Sequence, residues 1–249
     1  MVGSNFKGHC SMLGILMTSE NIKDKLAVTT KTYLQELHKE AVFGYRKDIT
    51  NLYISKGNLS EPDSIKLLSE VHDRPFDSQY LKNEEFFEND FIVGTPDIHI
   101  EDSFVGDVKS SFNMGTFPLY KEFGDLKKHN KMYYWQMQGY MWLTGLSKSI
   151  LAYCLVDTPE EVIEGVRYKR MRELDVIDLP QEEEDRIRYE HNPSVWINPD
   201  TQKPYPAKSR VVQFPQEINL NDIEKLKERI SLCRVYMKEL SEYLHHKIQ

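Results

Sequence analysis

The stretch Gly94-Thr-Pro-Asp-Ile-His-Ile100 is followed, after Glu101, Asp102 and Ser103, by Phe104-Val-Gly-Asp-Val-Lys-Ser110. Both runs are short and rich in β-formers, and the polar residues between them read as a turn. They predict a β-hairpin, with Ile98 to Ile100 and Phe104 to Val108 as its strands and a further β-rich run from Phe91 to Val93. Asp97 and Asp107 lie symmetrically about Asp102. A turn centred there sets the two aspartates opposite one another on one face, with Cβ atoms about 5 Å apart. Lys109 is two residues beyond Asp107 and projects from the same face. Ile98, Ile100, Phe104 and Val108 project from the other face and give the hairpin an apolar back.

Opposed carboxylates repel unless a cation lies between them. The pair therefore points to a hard metal held by oxygen ligands, magnesium, with manganese able to substitute. A lysine beside two metal-bound carboxylates can steer an attacking water or offset phosphate charge. Taken alone, two aspartates and a lysine on a hairpin also read as a solvated charge cluster, so the surrounding elements decide the weighting.

Downstream, residues 131–144 return to helical character, with Gly145 placed to end the helix, and Ile150 to Val156 reads as a buried strand. A helix between strands implies a mixed α/β core. Gln136 and Tyr140 are four apart and share a helix face, whereas Gln138 lies on a different one. Upstream, Ser60 before Glu61, Pro62 and Asp63 predicts a helix start, with Ile65, Leu67, Leu68 and Val71 as its apolar content. The first 45 residues read mainly as helix, carrying Leu34, Leu37, Ala41 and Tyr45. Residues 180–212 are acidic and then proline-rich (Pro193, Pro199, Pro204, Pro206), which predicts an extended excursion. A last helix, about 221–246, carries Ile223, Leu226, Ile230, Cys233, Met237, Leu240 and Leu244 in one stripe. Its alternating steps of three and four form a coiled-coil-like seam. Over so few heptads, packing on the chain's own core is the simpler account, with an oligomer contact as the alternative.

GTPDIHI followed by GDVKSS resembles the PD-(D/E)xK nuclease signature, with Pro96-Asp97 and Asp107-Val108-Lys109 as its halves. Asp107 stands where Glu is commoner. YYWQMQGYMWLTG resembles the helix that follows this core in lambda-type exonucleases and RecB-like nucleases, with Gln136 and Tyr140 matching its Gln-x-x-x-Tyr element and Gln138, in Gln-Met-Gln, as the alternative glutamine. KGNLSEPDSIKLL resembles the lambda-exonuclease segment in which a glycine shortly precedes a helix bearing an essential glutamate, here Glu61. The resemblance covers about residues 56–156. It implies a restriction-endonuclease-like α/β fold, a mixed central sheet flanked by helices with a long C-terminal helix, organised as one domain over 1–249.

The resemblance also implies roles. Asp97 and Asp107 bind magnesium, with the Val108 carbonyl and Glu61 as further support. Lys109 and Gln136 orient water, while Tyr140 and Ser110 buttress the site. The expected activity is hydrolysis of linear duplex DNA in recombination, repair or phage DNA processing, in a bacterium or a phage-infected cell. A ring-like homo-oligomer and a recombination partner protein belong to the same expectation. An endonuclease, nickase or junction resolvase is the alternative within the class. A non-catalytic DNA- or partner-binding protein of the same fold is the alternative outside it.

Composition is compatible with this. The chain has 249 residues, 40% hydrophobic and 29% charged, a globular balance. Its longest apolar runs fall short of the roughly 18 residues of a bilayer span. No signal-peptide order is evident at the N-terminus, so a cytoplasmic location is expected. Cys10, Cys154 and Cys233 are too few and too scattered for a disulfide framework or an iron-sulfur cluster. A net charge of -7 runs against simple phosphate binding, although local patches matter more: Lys127, Lys128 and Lys131, and Arg167, Lys169, Arg170 and Arg172. Ordinary solvated faces explain such patches equally well.

Overall fold

In the computed structural model, residues 5–19, 22, 24–45, 47, 50–74, 80–120 and 125–248 are described. Their elements run β1 (Gly8–His9), α1 (Leu13–Leu16), α2 (Val28–Phe43), α3 (Leu52–Val71), β2 (Phe87–Glu88), β3 (Ile92–Gly94), β4 (Ile98–Ile100) and β5 (Phe104–Ser110). Then follow α4 (Leu126–His129), α5 (Lys131–Thr144), β6 (Lys148–Cys154), α6 (Glu160–Leu174), α7 (Gln181–His191), β7 (Ile197–Asn198), β8 (Lys203–Pro204), β9 (Val211–Glu217) and α8 (Leu220–Ile248).

The hairpin forms as strand parity requires. Ile98 pairs with Gly106 and Ile100 with Phe104, and Asp102 takes a left-handed φ of 57° at the turn, a conformation aspartate tolerates. β5 continues the sheet by pairing parallel to β6, and β6 pairs antiparallel to β9, giving a mixed four-stranded order β4-β5-β6-β9. Parallel neighbours need a crossover. The α4–α5 segment supplies it. The run at Phe91 to Val93 does not join the hairpin: β3 pairs with β1 and β2 in a separate small sheet.

Both faces of the larger sheet are covered. Ile98, Val108, Ala152 and Cys154 pack under α3 with Ile65, Leu67 and Leu68. Val105, Leu151, Tyr153 and Phe214 pack under α5 and α8. The hairpin's second face is thus part of the main core as well as the bearer of Asp107. α5 is apolar on nearly every side, and Tyr134 to Met141 are all buried, so it runs through the interior as a central helix. Asn130 caps it by accepting from the Met132 and Tyr133 amides, and Gly145 ends it at φ 72°. Gly14 of α1 lets α5 approach closely: a Cβ there would lie 2.5 Å from Met132 Cα.

Three expectations need correction. Ser60 does not start a helix, because α3 begins eight residues earlier at Leu52, where Asn51 Oδ1 accepts the Ile54 amide at 3.0 Å. Pro62 sits inside the helix, and burial of Ser60, Ser64, Ile65 and Leu68 on the packed face outweighs its missing donor. In α2 the buried positions are Thr30, Leu34 and His38, spaced by four, while Ala41 is exposed and Tyr45 lies beyond the helix end at Gly44. Residues 180–212 are not simply extended. Pro180 precedes helix α7, whose Ile187 and His191 are buried, and only then come the β7–β8 hairpin and the lead into β9. The prolines mark the boundaries rather than the whole segment.

The C-terminal helix is as long as expected. Ile223, Leu226, Ile230, Cys233 and Met237 are buried in the main core and Leu240 packs against it, so the seam is used within the chain.

Candidate active site

The β4–β5 register extends to Asp97 facing Asp107, and the two carboxylates differ in their surroundings. Asp97 Oδ2 accepts the Val108 amide at 2.7 Å. Asp107 is 1% exposed; its Oδ1 accepts from Gln136 Nε2 at 2.9 Å, and Lys109 Nζ lies 2.6 Å from its Oδ2. Beyond that ion pair, Oδ2 has no hydrogen-bond partner among the described residues. Burial pushes both carboxyls up from the usual carboxylate range. For Asp97 the charge of Asp107 adds to the upward push, while Lys109 and the Val108 amide oppose it.

Lys109 is pinned from two sides, by Asp107 and by the Tyr133 ring, whose centroid is 4.9 Å away. Burial alone would lower its pKa, but Asp107 and Asp97 outweigh burial and raise it, so the ammonium stays charged. Tyr133 was not singled out from sequence, although it lies three residues before Gln136 and therefore on the same side of α5.

α5 brings Gln136 and Tyr140 to the site together. Gln136 Nε2 also donates to Tyr140 Oη at 3.1 Å, giving a chain Tyr140–Gln136–Asp107 of buried polar groups. Gln138 points elsewhere: it donates to the Glu217 carbonyl at 2.9 Å and accepts the Asn219 amide at 2.7 Å, fastening the end of β9 to the start of α8. Of the two glutamines, Gln136 is the one bonded to Asp107.

A cleft of about 360 Å³ opens beside these groups, lined by Glu61, Asp97, Val108, Lys109 and Ser110 among others. Glu61 enters it from α3, with Lys82 Nζ 3.1 Å from its Oε1. Gly57, one turn earlier on α3, has open space where a Cβ would sit, which leaves the cleft mouth clear. Ser110 Oγ and Ser64 Oγ are 2.7 Å apart and tie β5 to α3. Opposite, Phe112 packs its ring 4.4 Å from Tyr53, and its carbonyl accepts from the buried Lys56 Nζ at 2.9 Å. No local pattern distinguishes Lys56 or Lys82 in the sequence, because their partners are remote along the chain.

Among the described residues, no three His, Cys, Asp or Glu side chains are gathered closely enough to form a cation cage by themselves. Glu61 is held by Lys82, while Asp97 and Asp107 face each other by strand register. The basic patches are largely used internally: Arg167 pairs with Glu160 and Glu184, Arg170 with Glu183, and Lys127 with Asp222. Among the described residues no helix is long and apolar enough to cross a membrane.

Comparison with solved structures places this fold. A phage-related exonuclease from Haemophilus somnus 129PT superposes with a TM-score of 0.75 at 26% identity, over 96% of this chain and 97% of that one. The chain has the fold of the phage-type exonucleases. This exonuclease fold is shared by an alkaline exonuclease from Laribacter hongkongensis, with a TM-score of 0.60 and 15% identity over 97% of this chain and 93% of that one. The same alkaline exonuclease in complex with dAMP gives 0.57 at 14% identity, over 98% and 94%. No protein-family model and no curated protein matches the chain.

Proposed function

We propose that the chain is a magnesium-dependent deoxyribonuclease that degrades linear duplex DNA from an end, in recombination, repair or phage DNA processing. The observation that carries this reading is the pair of buried carboxylates facing each other across β4 and β5, with a charged lysine on one of them and a cleft alongside. Burying two like charges is costly. A protein with no use for them would be more stable with apolar residues there.

The donor set fits a hard divalent cation, since Asp97, Asp107, the Val108 carbonyl and Glu61 are all oxygen donors and Asp107 Oδ2 has no hydrogen-bond partner among the described residues beyond the Lys109 ion pair. Asp97 and Asp107 would hold the ion, and Glu61, exchanging Lys82 for it, would support it. When bound, magnesium supplies Lewis acidity that lowers the pKa of water and offsets phosphate charge.

The chain's own groups do the rest. Lys109 presents a fixed ammonium to a phosphate oxygen or to the attacking water. Gln136 acts as a positioning residue, because both of its observed bonds hold Asp107 and Tyr140 in place. Water attacks phosphorus in line with O3′. The P–O3′ bond breaks, the water oxygen stays on phosphorus as a 5′-phosphate, and a proton ends on the 3′-hydroxyl. Phe112 and Tyr53 wall the cleft and Gly57 keeps its mouth open.

The test uses purified protein with magnesium on linear duplex and on covalently closed circles. Release of mononucleotides or short products from linear DNA, with circles intact, supports the reading. Equal cutting of both by wild type, with Asp107→Asn inactive on both, would make the enzyme an endonuclease instead. Retained activity after metal stripping in EDTA would remove the metal.

A further inference from the structure

A second pocket lies behind the catalytic cleft and takes no part in the chemistry above. Its volume is about 400 Å³, and Met114, Leu119, Tyr189, Trp196, Tyr205 and Arg210 are among the residues lining it. The two pockets share a wall. The short 3-10 turn Met114–Thr116 contributes Thr116 to the catalytic cleft and Met114 to this pocket. Phe112 of the cleft packs edge-on to His191, 5.1 Å away, at the end of the helix that carries Tyr189.

Three features of the pocket stand together. Tyr189 stacks on Trp196 with centroids 5.6 Å apart and planes 27° apart. Trp196 is nearly buried, its Nε1 fixed to the Tyr189 carbonyl at 2.7 Å, whereas Tyr189 is 61% exposed. The pair is therefore a rigid base with an open ring on top. Met114, Leu119 and Tyr205 are each more than a third exposed around it, an unusual grouping for residues with no surface role. Finally, Arg210 lines the pocket with its Nε buried and bonded to nothing among the described residues. The acid nearby, Glu190, lies 3.9 Å from Arg186 instead.

An aromatic platform beside a guanidinium whose Nε has no hydrogen-bond partner among the described residues matches a nucleotide, whose base stacks and whose phosphate takes the cation. A purely apolar protein side chain would leave Arg210 unanswered. We propose that this pocket is a second nucleotide subsite, which holds a base of an unpaired strand against Tyr189 and its phosphate on Arg210, adjacent to the catalytic cleft. It rests on the nuclease reading for its substrate class, and its test is made without turnover so that the two can fail separately.

The experiment is fluorescence anisotropy with a short fluorescein-labelled oligothymidine in EDTA, where nothing is cut. Stacking on one aromatic is worth about 1–3 kcal/mol, so Tyr189→Ala is expected to weaken binding roughly 5- to 150-fold, with Arg210→Gln weakening it about as much. Tyr189→Phe keeps the ring and is expected to bind like wild type, which separates stacking from damage to the fold. No binding by wild type, or unchanged binding by Tyr189→Ala, would overturn the proposal and leave a protein-docking face as the account of the pocket. Loss confined to Arg210→Gln would overturn the assignment of a stacked base.

Discussion

Gln136 Nε2 donates to Asp107 Oδ1 at 2.9 Å, joining the central helix to the strand that carries the acidic site. Both residues are buried, so the bond is shielded from water and fixes one carboxylate oxygen while the other faces Lys109. Two residues on, Gln138 makes bonds of similar length to backbone groups of residues 217 and 219. The same side chain on the same helix thus serves two separate ends.

Gln136→Ala and Gln138→Ala are expected to part in opposite directions. Gln136→Ala should lower turnover about 10- to 100-fold while DNA binding and the overall fold persist, since an unanchored Asp107 loses its working geometry. Gln138→Ala should leave turnover near wild type and cost about 2 kcal/mol of stability through two unpaired backbone groups. Paired steady-state kinetics and chemical denaturation check this, and the reverse ranking would show that Gln138 is the functional glutamine.

Lys56 gives the fold a pH dependence. Its Nζ donates to the carbonyls of Phe112 at 2.9 Å and Val156 at 3.1 Å. Burial pulls its pKa from 10.5 down to about 8, against a smaller upward pull from Asp157. Since the folded value lies below the unfolded one, the folded state sheds this proton first. The Lys56 contribution is therefore constant below pH about 8 and grows as pH rises from there toward 10.5. Denaturant melts of wild type and Lys56→Met across that window should diverge with rising pH, with wild type gaining. Parallel curves would contradict it.

Gly14→Ala tests how the helix is seated. The new Cβ would meet the Met132 backbone at 2.5 Å, and backbone cannot rotate aside as a side chain can. The substitution should cost about 2 kcal/mol or more and, by displacing the start of α5, reduce nuclease activity as well. A thermal melt and an activity assay on the same preparation suffice. Gly57→Ala, with open space at its Cβ, is the control and should be neutral or stabilising, because a helix interior favours alanine over glycine.

The hairpin was legible because strand parity is an exact alternation: once the turn is put at Asp102, the facing of Asp97 and Asp107 and the side taken by Lys109 follow. The α5 boundaries were legible from Gly145 and the apolar run, and the pairing of Gln136 with Tyr140 from their spacing of four. α3 was misread at its start because Pro62 resembles a first-turn proline, whereas tertiary burial of Ser60 and its neighbours carries the helix through it. α7 was hidden by its charge, since nine of its eleven residues, all but Gln181 and Ile187, are charged, histidine or tyrosine, and only Ile187 signals a buried face. The Lys56, Lys82 and Arg210 environments depend on partners far along the chain, and nothing local to those residues announces them.

The central claim is that Asp107 belongs to a hydrolytic site rather than to a buried structural ion pair with Lys109. The most direct measurement is release of acid-soluble nucleotide from end-labelled linear duplex with magnesium, by wild type and by Asp107→Asn at equal folded concentration. The account predicts digestion by wild type and a loss of about a thousandfold or more in the variant. A variant that digests DNA as fast as wild type, or a wild type that releases nothing, would contradict it.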